Sequence, residues 1–200
     1  MRTMRFLLAV LLAASLSGCG YNEIQRQDEA VKASWSQVLN VYKRRADLIP
    51  NLVATVKGYA QQEQTVLLGV TEARARVGQI QVNPDDADSL KQFQQAQGEL
   101  SGALSRLLVV SENYPQLKSD QVFIGLQTQL EGTENRITVE RQRYIEAVQT
   151  YNTTIREFPV NLTAKMFGYE TKPNFTVEDE AKIQDAPTVD FGTAPKPAGG

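Results

Sequence analysis

Apolar residues recur every seven positions between Ile24 and Ile80. One series falls at every seventh residue, and a second falls four residues further on in each heptad. Only Arg45 in the first series, and Asp28 and Glu63 in the second, interrupt the apolar pattern. A repeat this long is typical of a long helix that buries one stripe against other helices. The first series is Ile24, Val31, Val38, Arg45, Leu52, Tyr59, Val66, Ala73 and Ile80, and the second is Asp28, Trp35, Tyr42, Ile49, Val56, Glu63, Val70 and Val77.

Pro50 is the one proline inside this repeat. It cannot donate a hydrogen bond to the carbonyl of Ala46, and its ring crowds that turn of the helix. The register continues unchanged across Pro50, and residues 44–51 contain no glycine, so the sequence predicts a kink rather than a reversal. A hairpin at Pro50 is the alternative. As one unbroken helix, residues 21–81 would extend about 90 Å.

A second helix is predicted to start at the acidic run that begins with Asn83. Asn83 suits the N-cap and Pro84 the first helical position, and Asp85, Asp86 and Asp88 favour the positive end of the helix dipole. A calcium site is the functional alternative for these acids, but the run lacks the glycine and distal glutamate of a calcium loop. The helix should stop before Pro115, and its predicted core stripe is Leu90, Phe93, Leu100, Leu104, Leu107 and Leu108.

A third helix is predicted after the short loop over residues 114–119. A loop of this length returns the chain antiparallel. Ser119 or Asp120 can cap the helix, and Phe158-Pro159 ends it. Its predicted stripe is Phe123, Leu126, Leu130, Ile137, Tyr144, Val148, Tyr151, Ile155 and Phe158.

Beyond Pro159 the aromatic residues stand isolated among polar residues and prolines, as at Phe167-Gly168-Tyr169, Phe175 and Phe191. This pattern predicts short helical turns and an extended strap packed on the bundle. The fold predicted is all-α: an antiparallel bundle of three long helices, or four if the chain reverses at Pro50. The predicted divisions are a signal peptide over 1–18, the bundle over 19–159, the strap over 160–193 and a disordered tail over 194–200.

The first half of the long helix carries an apolar stripe that would promote association if it were bare in water. The strap, the overhang of the third helix, or a second copy of the chain could cover it, and the last of these would make a homo-oligomer. The stripe consists of Ile24, Val31, Trp35, Val38 and Tyr42.

The N-terminus has the features of a lipoprotein signal peptide. Arg2 and Arg5 precede an apolar run over 6–14 that is too short to span a bilayer, and Leu16-Ser17-Gly18-Cys19 resembles the bacterial lipobox. Acyl chains on Cys19 would then hold the protein at a membrane. Gly20 after the cysteine favours the outer membrane, facing the periplasm, if the cell has two. A plain signal peptide or a short membrane helix is the alternative.

Composition excludes several kinds of chemistry. The chain has 200 residues, no histidine and one cysteine, which excludes an intramolecular disulfide, thiolate zinc sites and histidine bases. We therefore expect no cofactor and no metal. The formal charge is −2, and a chain beginning at Cys19 would carry −4 because it lacks two arginines, which argues against a nucleic-acid partner.

Arg45 is the residue of most functional interest, because a cation at a heptad core position needs a partner carboxylate. The facing third helix could supply one from its polar block. Two readings remain open: a polar network that fixes the helix register, or a notch that binds a partner or ligand. The residues of this network or notch are Arg44, Arg45, Asp47, Asn51, Glu131, Glu134 and Asn135.

A glycan hydrolase is the alternative function, since such enzymes pair two carboxylates and Glu131, Glu134 and Glu140 lie together on the third helix. Ion pairs of Glu131 and Glu134 with Arg136, Arg141 or arginines of the first helix are the structural explanation, and it is the one that the sequence favours. We expect the larger aromatic residues of the stripes to be core rather than a glycan-stacking platform. These aromatic residues are Trp35, Tyr42, Tyr59, Tyr144 and Tyr151.

Several runs of residues carry a resemblance to a known family. They are 42–53 with Val56-Lys57-Gly58-Tyr59, 130–137, Tyr144, Tyr151-Asn152-Thr153, Phe158-Pro159, Phe167-Gly168-Tyr169, Ala186-Pro187 and Val189-Asp190-Phe191. Through these runs the chain from Trp35 to Phe191 resembles the LemA family of bacterial envelope proteins. The resemblance implies a helical bundle outside the cytoplasmic membrane and no catalytic residues.

This chain departs from that family in one respect. Many relatives look anchored by an N-terminal helix, whereas here a lipobox takes its place. The function predicted is a lipid-anchored, non-catalytic helical scaffold or interaction module. It would be attached to the membrane through acyl chains on Cys19, and it would bind other envelope proteins.

Overall fold

The computed structural model describes residues 2–175, and for residues 2–19 other than Met4 it describes the backbone alone. Six helices occupy this range, and it contains no strand. The Cys19 side chain, Phe191 and the predicted tail over 194–200 lie outside what is described. The helices are α1 (Arg2–Tyr59), α2 (Gln64–Gln79), α3 (Ala87–Ser111), α4 (Pro115–Lys118), α5 (Gln121–Thr154) and α6 (Val160–Phe167).

The four long helices α1, α2, α3 and α5 form an antiparallel bundle. Helix α2 folds back on α1, so that Arg74 Nε donates to the Ala46 carbonyl oxygen at 2.8 Å. Helix α3 packs against α2 in the same core. Helix α5 begins beside the end of α1, where Tyr59 Oη donates to Asp120 Oδ2 at 2.7 Å. The predicted all-α antiparallel bundle is therefore confirmed.

Pro50 lies inside α1, and the helix continues through it to Tyr59. The prediction of an unreversed helix at Pro50 is confirmed, and a hairpin at that residue is wrong. The prediction that the helix continues to Ile80 is also wrong. The chain reverses over residues 60–63 and returns as α2, which gives four long helices rather than three.

The reversal is stabilised by tertiary contacts rather than by turn-forming residues. Ala60 is buried, and Tyr114 Oη donates to Glu63 Oε1 at 3.2 Å. Folding back places α2 against α1 and α3, so its apolar face joins a shared core instead of projecting into solvent. The heptad pattern cannot show this, because both arms of a helical hairpin keep an apolar stripe.

Two hydrophobic clusters fill the bundle, on either side of Arg45 along α1. The proximal core, towards Gly20, includes Ile24, Val31, Trp35, Val38, Tyr42, Leu90, Phe93, Ile137, Tyr144, Val148, Tyr151, Ile155, Ala164 and Phe175. The distal core includes Ile49, Leu52, Val56, Ala60, Leu67, Val70, Ala73, Leu100, Ala103, Leu104, Leu107, Leu117, Phe123, Leu126 and Leu130. Every heptad position of α1 from Ile24 to Val56 is buried except Asp28, which is half-buried.

Two aromatic residues predicted to be core are exposed instead. Phe158 is 80% exposed because α5 ends at Thr154, before the predicted stripe reaches it. Tyr59 is 41% exposed because it lies in the last turn of α1, where its hydroxyl reaches Asp120.

Aspartate caps begin both α3 and α5. Asp120, one of the two residues predicted to cap α5, does so by accepting hydrogen bonds from Val122 N and Phe123 N. The cap predicted for α3 is wrong, since Asp86 rather than Asn83 accepts from the first free amides. Asn83 Oδ1 instead accepts from Asp85 N at 3.0 Å and stabilises the preceding turn.

The chain after α5 covers the proximal half of α1. Helix α6 lies beside the start of the bundle, and the extended residues 169–175 run along α5. Asn152 fixes this strap through two hydrogen bonds of 2.8 Å: its Oδ1 accepts from the Lys172 backbone amide, and its Nδ2 donates to the Lys172 carbonyl oxygen. Phe175 then packs between Trp35 and Tyr144. The strap and the overhanging part of α5 therefore both cover the apolar stripe of α1. These are two of the three arrangements predicted from the sequence.

Candidate functional site

The guanidinium of Arg45 lies buried at the boundary between the two cores. Arg45 as a whole is 1% exposed, and it lies on the apolar stripe of α1 between Tyr42 and Ile49. Removing a charge from water is costly unless charged and hydrogen-bonding partners replace the solvent. The surroundings of Arg45 therefore decide whether this position stabilises the bundle.

Two other helices supply those partners. Arg45 Nη1 donates to Glu134 Oε1 of α5 at 2.5 Å and to Ser101 Oγ of α3 at 2.9 Å. Arg45 Nη2 donates to the side-chain and backbone oxygens of Gln97. The guanidinium carbon lies 5.3 Å from the centre of the Tyr42 ring. Arg45 Nε is buried without a hydrogen-bond partner, so the network leaves one donor unused.

Above this network, α3 and α5 leave an open groove of about 370 Å³. Tyr42 and Arg45 of α1 form part of its lining, α3 and α5 contribute the walls, and Phe175 of the strap lies at the proximal end. The wall residues are Gln94, Gln97, Gly98 and Ser101 from α3, with Glu134, Ile137, Thr138, Arg141 and Ile145 from α5. We call this cleft the Arg45 groove.

The charged residues that line the Arg45 groove are two cations, Arg45 and Arg141, and one anion, Glu134. Arg141 is half-buried, with its guanidinium carbon 4.6 Å from the centre of the Phe175 ring. Burial raises the pKa of the Tyr42 phenol, and the two guanidiniums only partly oppose that rise. Tyr42 is thus a neutral hydroxyl at neutral pH, and the lining carries one net positive charge.

The structure brings together only two of the residues predicted for this site, Arg45 and Glu134. The rest of the predicted set is exposed and does not line the groove, because neighbouring positions of a helix face different directions. Glu131, for example, accepts a hydrogen bond from Gln127 of its own helix at 3.1 Å. The exposed members are Arg44, Asp47, Asn51, Glu131 and Asn135.

The sequence reasoning missed the contribution of α3. Gln97 and Ser101 bond directly to Arg45, and Gln94 is a third buried polar neighbour in the lining. A signal was present, because Gln94 and Gln97 lie on the stripe that also contains Phe93 and Leu100. Polar residues at core positions of one helix could have been matched with Arg45 on another.

This arrangement favours binding over bond cleavage. Glu134 is the single carboxylate in the lining and already bonds Arg45, whereas a glycosidase needs two carboxylates facing its substrate. Glu140 pairs instead with Arg143 at 2.8 Å. In residues 2–175, no group of three acidic or thiol side chains could hold a metal ion.

The acids of the calcium alternative have structural roles. Asp86 caps α3 through the amides of Asp88 and Ser89, both at 3.2 Å. Asp85 Oδ1 accepts from Lys172 Nζ at 2.6 Å, which ties the loop before α3 to the strap.

Comparison with known proteins decides the family. The model of the LemA family matches residues 34–191, most of the chain and the whole of the Arg45 groove. The chain belongs to the LemA family. Membership confirms the resemblance seen in the sequence and supports, at a coarse level, a non-catalytic protein of the bacterial envelope.

Curated relatives are distant but cover much of the chain. Magnetosome protein MamQ 2 of Paramagnetospirillum magneticum is 25% identical over 188 residues, covering 84% of this chain and 68% of the relative. Magnetosome protein MamQ of Magnetospirillum gryphiswaldense is 24% identical, over 75% and 62% of the two chains. Protein LemA of Metamycoplasma hominis is 23% identical, over 72% and 63%.

Among the described residues, no helix is both long enough and apolar enough to cross a membrane.

Proposed function

We propose that this LemA-family protein is a lipid-anchored interaction module whose Arg45 groove binds a segment of another envelope protein. The observation that carries the proposal is the open groove above a buried, hydrogen-bonded cation. Tyr42 and Arg45, two core positions of α1, both line this groove, so a partner bound there would contact the polar boundary between the two cores.

The lining favours an acidic partner segment. Two guanidiniums against one carboxylate leave a positive charge, and guanidinium groups bind carboxylates strongly and directionally. Ile137, Ile145 and Phe175 add apolar contact surface beside the polar floor. A volume of about 370 Å³ accommodates a few side chains of a partner rather than a folded domain.

Anchoring through Cys19 is the second part of the proposal. The lipobox supports it, and the mature chain would enter α1 directly after the acylated cysteine. If the cell has two membranes, we expect the outer one, with the bundle in the periplasm. No observation favours the glycan hydrolase, because the second carboxylate it requires does not line the groove.

Site-specific photo-crosslinking in living cells tests the groove. A photoreactive amino acid at Thr138, which is exposed and lines the groove, should give discrete protein adducts. At Thr128, which is exposed on the same helix but outside the groove, these adducts should be absent.

Charge-reversal variants supply the decisive comparison. Arg141→Glu should remove the Thr138 adducts, because it replaces a lining cation with an anion. Arg143→Glu should retain them, since Arg143 is exposed and pairs with Glu140 outside the groove. Identical adducts at Thr138 and Thr128, or adducts that survive Arg141→Glu, would show that the groove is not the partner site.

A further inference from the structure

Helix α6 and the residues just before it expose several large apolar side chains. Phe158 is 80% exposed, Leu162 57%, Met166 79% and Phe167 57%. Leu162 and Met166 lie four residues apart within α6, the spacing that places side chains on one face of a helix, and Phe158 lies just before the helix begins at Val160. We call these four residues the α6 face. A contiguous exposed face of this kind marks a surface that contacts something other than water.

The chemistry around the α6 face is that of an interfacial helix. Residues 158–169 contain one charged side chain, Lys165, and Glu157 and Glu170 flank this segment on either side. The opposite side of α6 is fixed to the bundle by Ala164, which is buried in the proximal core. Helices that lie in a membrane surface combine such an apolar face with basic residues beside it.

The position of α6 places this face next to the proposed lipid anchor. Gly20, the residue after Cys19, is buried against α6, and a Cβ atom built on it would lie 3.3 Å from Thr163 Oγ1. The Tyr21 ring lies 5.0 Å from the Phe167 ring, centre to centre. Tyrosine and other aromatic side chains are favoured at the level of lipid headgroups.

We propose that the α6 face inserts into the surface of the bilayer that holds the acyl chains of Cys19. This inference rests on the proposed anchor, and it adds a second membrane contact beside it. Because α1 is helical from the anchor onward, no flexible tether separates the bundle from the membrane. Two adjacent contacts would restrict the tilt of the bundle and thereby hold the Arg45 groove at a fixed orientation.

Fluorescence quenching in vesicles tests this contact. The acylated full-length protein is reconstituted in phosphatidylethanolamine and phosphatidylglycerol vesicles, with a bimane label on Leu162→Cys or Met166→Cys. An acylated Cys19 has no free thiol and is the only native cysteine, so the introduced residue is the single labelling site. Val109→Cys is the matched control, because Val109 is 68% exposed in the last turns of α3 beside the distal core.

We expect bromine-labelled lipid to quench the label at 162 and 166 several-fold more strongly than at 109, and aqueous iodide to show the opposite order. Iodide quenching at 162 equal to that at 109 would overturn the proposal, because the face would be in water. Protection from both quenchers would also overturn it, because a second copy or another part of the chain would then cover the face.

The same samples separate failure of the anchor from failure of the α6 face. Mass spectrometry of the N-terminal peptide shows whether Cys19 carries acyl chains. An unmodified Cys19 would overturn both the anchor and the membrane contact. An acylated Cys19 with an unquenched label at 162 would overturn the membrane contact alone.

Discussion

Arg45 is a cation at a core position, and it is stabilised there by hydrogen bonds to polar side chains of the neighbouring helices. Glu134, Gln97 and Ser101 converge on one guanidinium from two helices. This network separates the proximal core from the distal core and lines the groove. One side chain thus contributes both to the packing of the bundle and to the proposed partner site.

Arg45→Ala should destabilise the bundle by about 3 kcal/mol. This is the lower end of the range for breaking a buried ion pair, because the Glu134 side chain is 45% exposed and can be hydrated once its partner is lost. Arg44→Ala, at the exposed neighbouring position, should cost no more than about 1 kcal/mol. Urea denaturation of both variants measures the difference. Equal unfolding midpoints would contradict the role assigned to Arg45.

Part of this network could be predicted from the sequence and part could not. Arg45 interrupts an apolar heptad series, so the sequence predicts a carboxylate partner for it, and Glu134 is among the candidates. The heptads do not show how α3 is rotated about its own axis. Gln97 and Ser101 therefore could not be chosen over other polar residues without the packing of three helices.

At the scale of elements, the turn between α1 and α2 determines the number of long helices. The heptad register predicts burial correctly for α1 from Val31 to Val56 and for Val70 and Ala73 of α2. It assigns the wrong direction to α2, because an apolar stripe is the same whether a helix continues or folds back. The turn over 60–63 contains no glycine or proline, and distant residues such as Tyr114 stabilise it.

Two pairs of spin labels with equal sequence separation test this reversal. Lys32→Cys with Lys57→Cys spans twenty-five residues within α1, so we expect a distance of about 37 Å. Asp47→Cys with Glu72→Cys spans the same number of residues across the turn, so we expect less than about 20 Å. Pulsed electron paramagnetic resonance on the acylated protein measures both. Two distances near 37 Å would restore the single long helix.

The strap depends on an ion cluster that joins it to α1 and to the loop before α3. Lys172 Nζ lies 3.0 Å from Asp28 Oδ1 and 2.6 Å from Asp85 Oδ1. Burial opposes the charged form of Asp28, but hydrogen bonds from Lys32 and Lys172 outweigh it and lower the pKa of Asp28 below 3.8. Burial likewise disfavours charged Lys172, but Asp85 and Asp28 raise the pKa of Lys172 above 10.5.

These pKa directions predict how the stability lost in Lys172→Met varies with pH. Stabilisation by Asp28 is present above pH 3.8 and is lost as pH falls through its lower folded pKa, whereas stabilisation by Lys172 is lost only as pH rises through its raised pKa. The variant should therefore lose about 1 kcal/mol near neutral pH and much less near about pH 2. Lys165→Met, at an exposed position, is the control. A loss that does not change with pH would contradict the ion cluster.

At the scale of the whole molecule, the bundle separates its two proposed contacts by a defined length. Gly20 and Arg45 are twenty-five residues apart on α1, which corresponds to about 37 Å along the helix axis. The proposed membrane contacts lie at one end of that span, and the Arg45 groove opens between α3 and α5 at the other. An upright bundle would therefore present the groove well beyond the lipid headgroups.

The proposal as a whole depends on acylation of Cys19, which intact-mass analysis of the N-terminal peptide measures directly. We predict that the wild-type peptide begins at Cys19, carries acyl chains and fractionates with membranes. The Cys19→Ser variant should carry no acyl mass, and it should no longer fractionate with membranes as the mature acylated form does. A wild-type protein with a free Cys19 thiol, or a Cys19→Ser variant that still carries covalent lipid, would contradict the lipid-anchored module proposed for this chain.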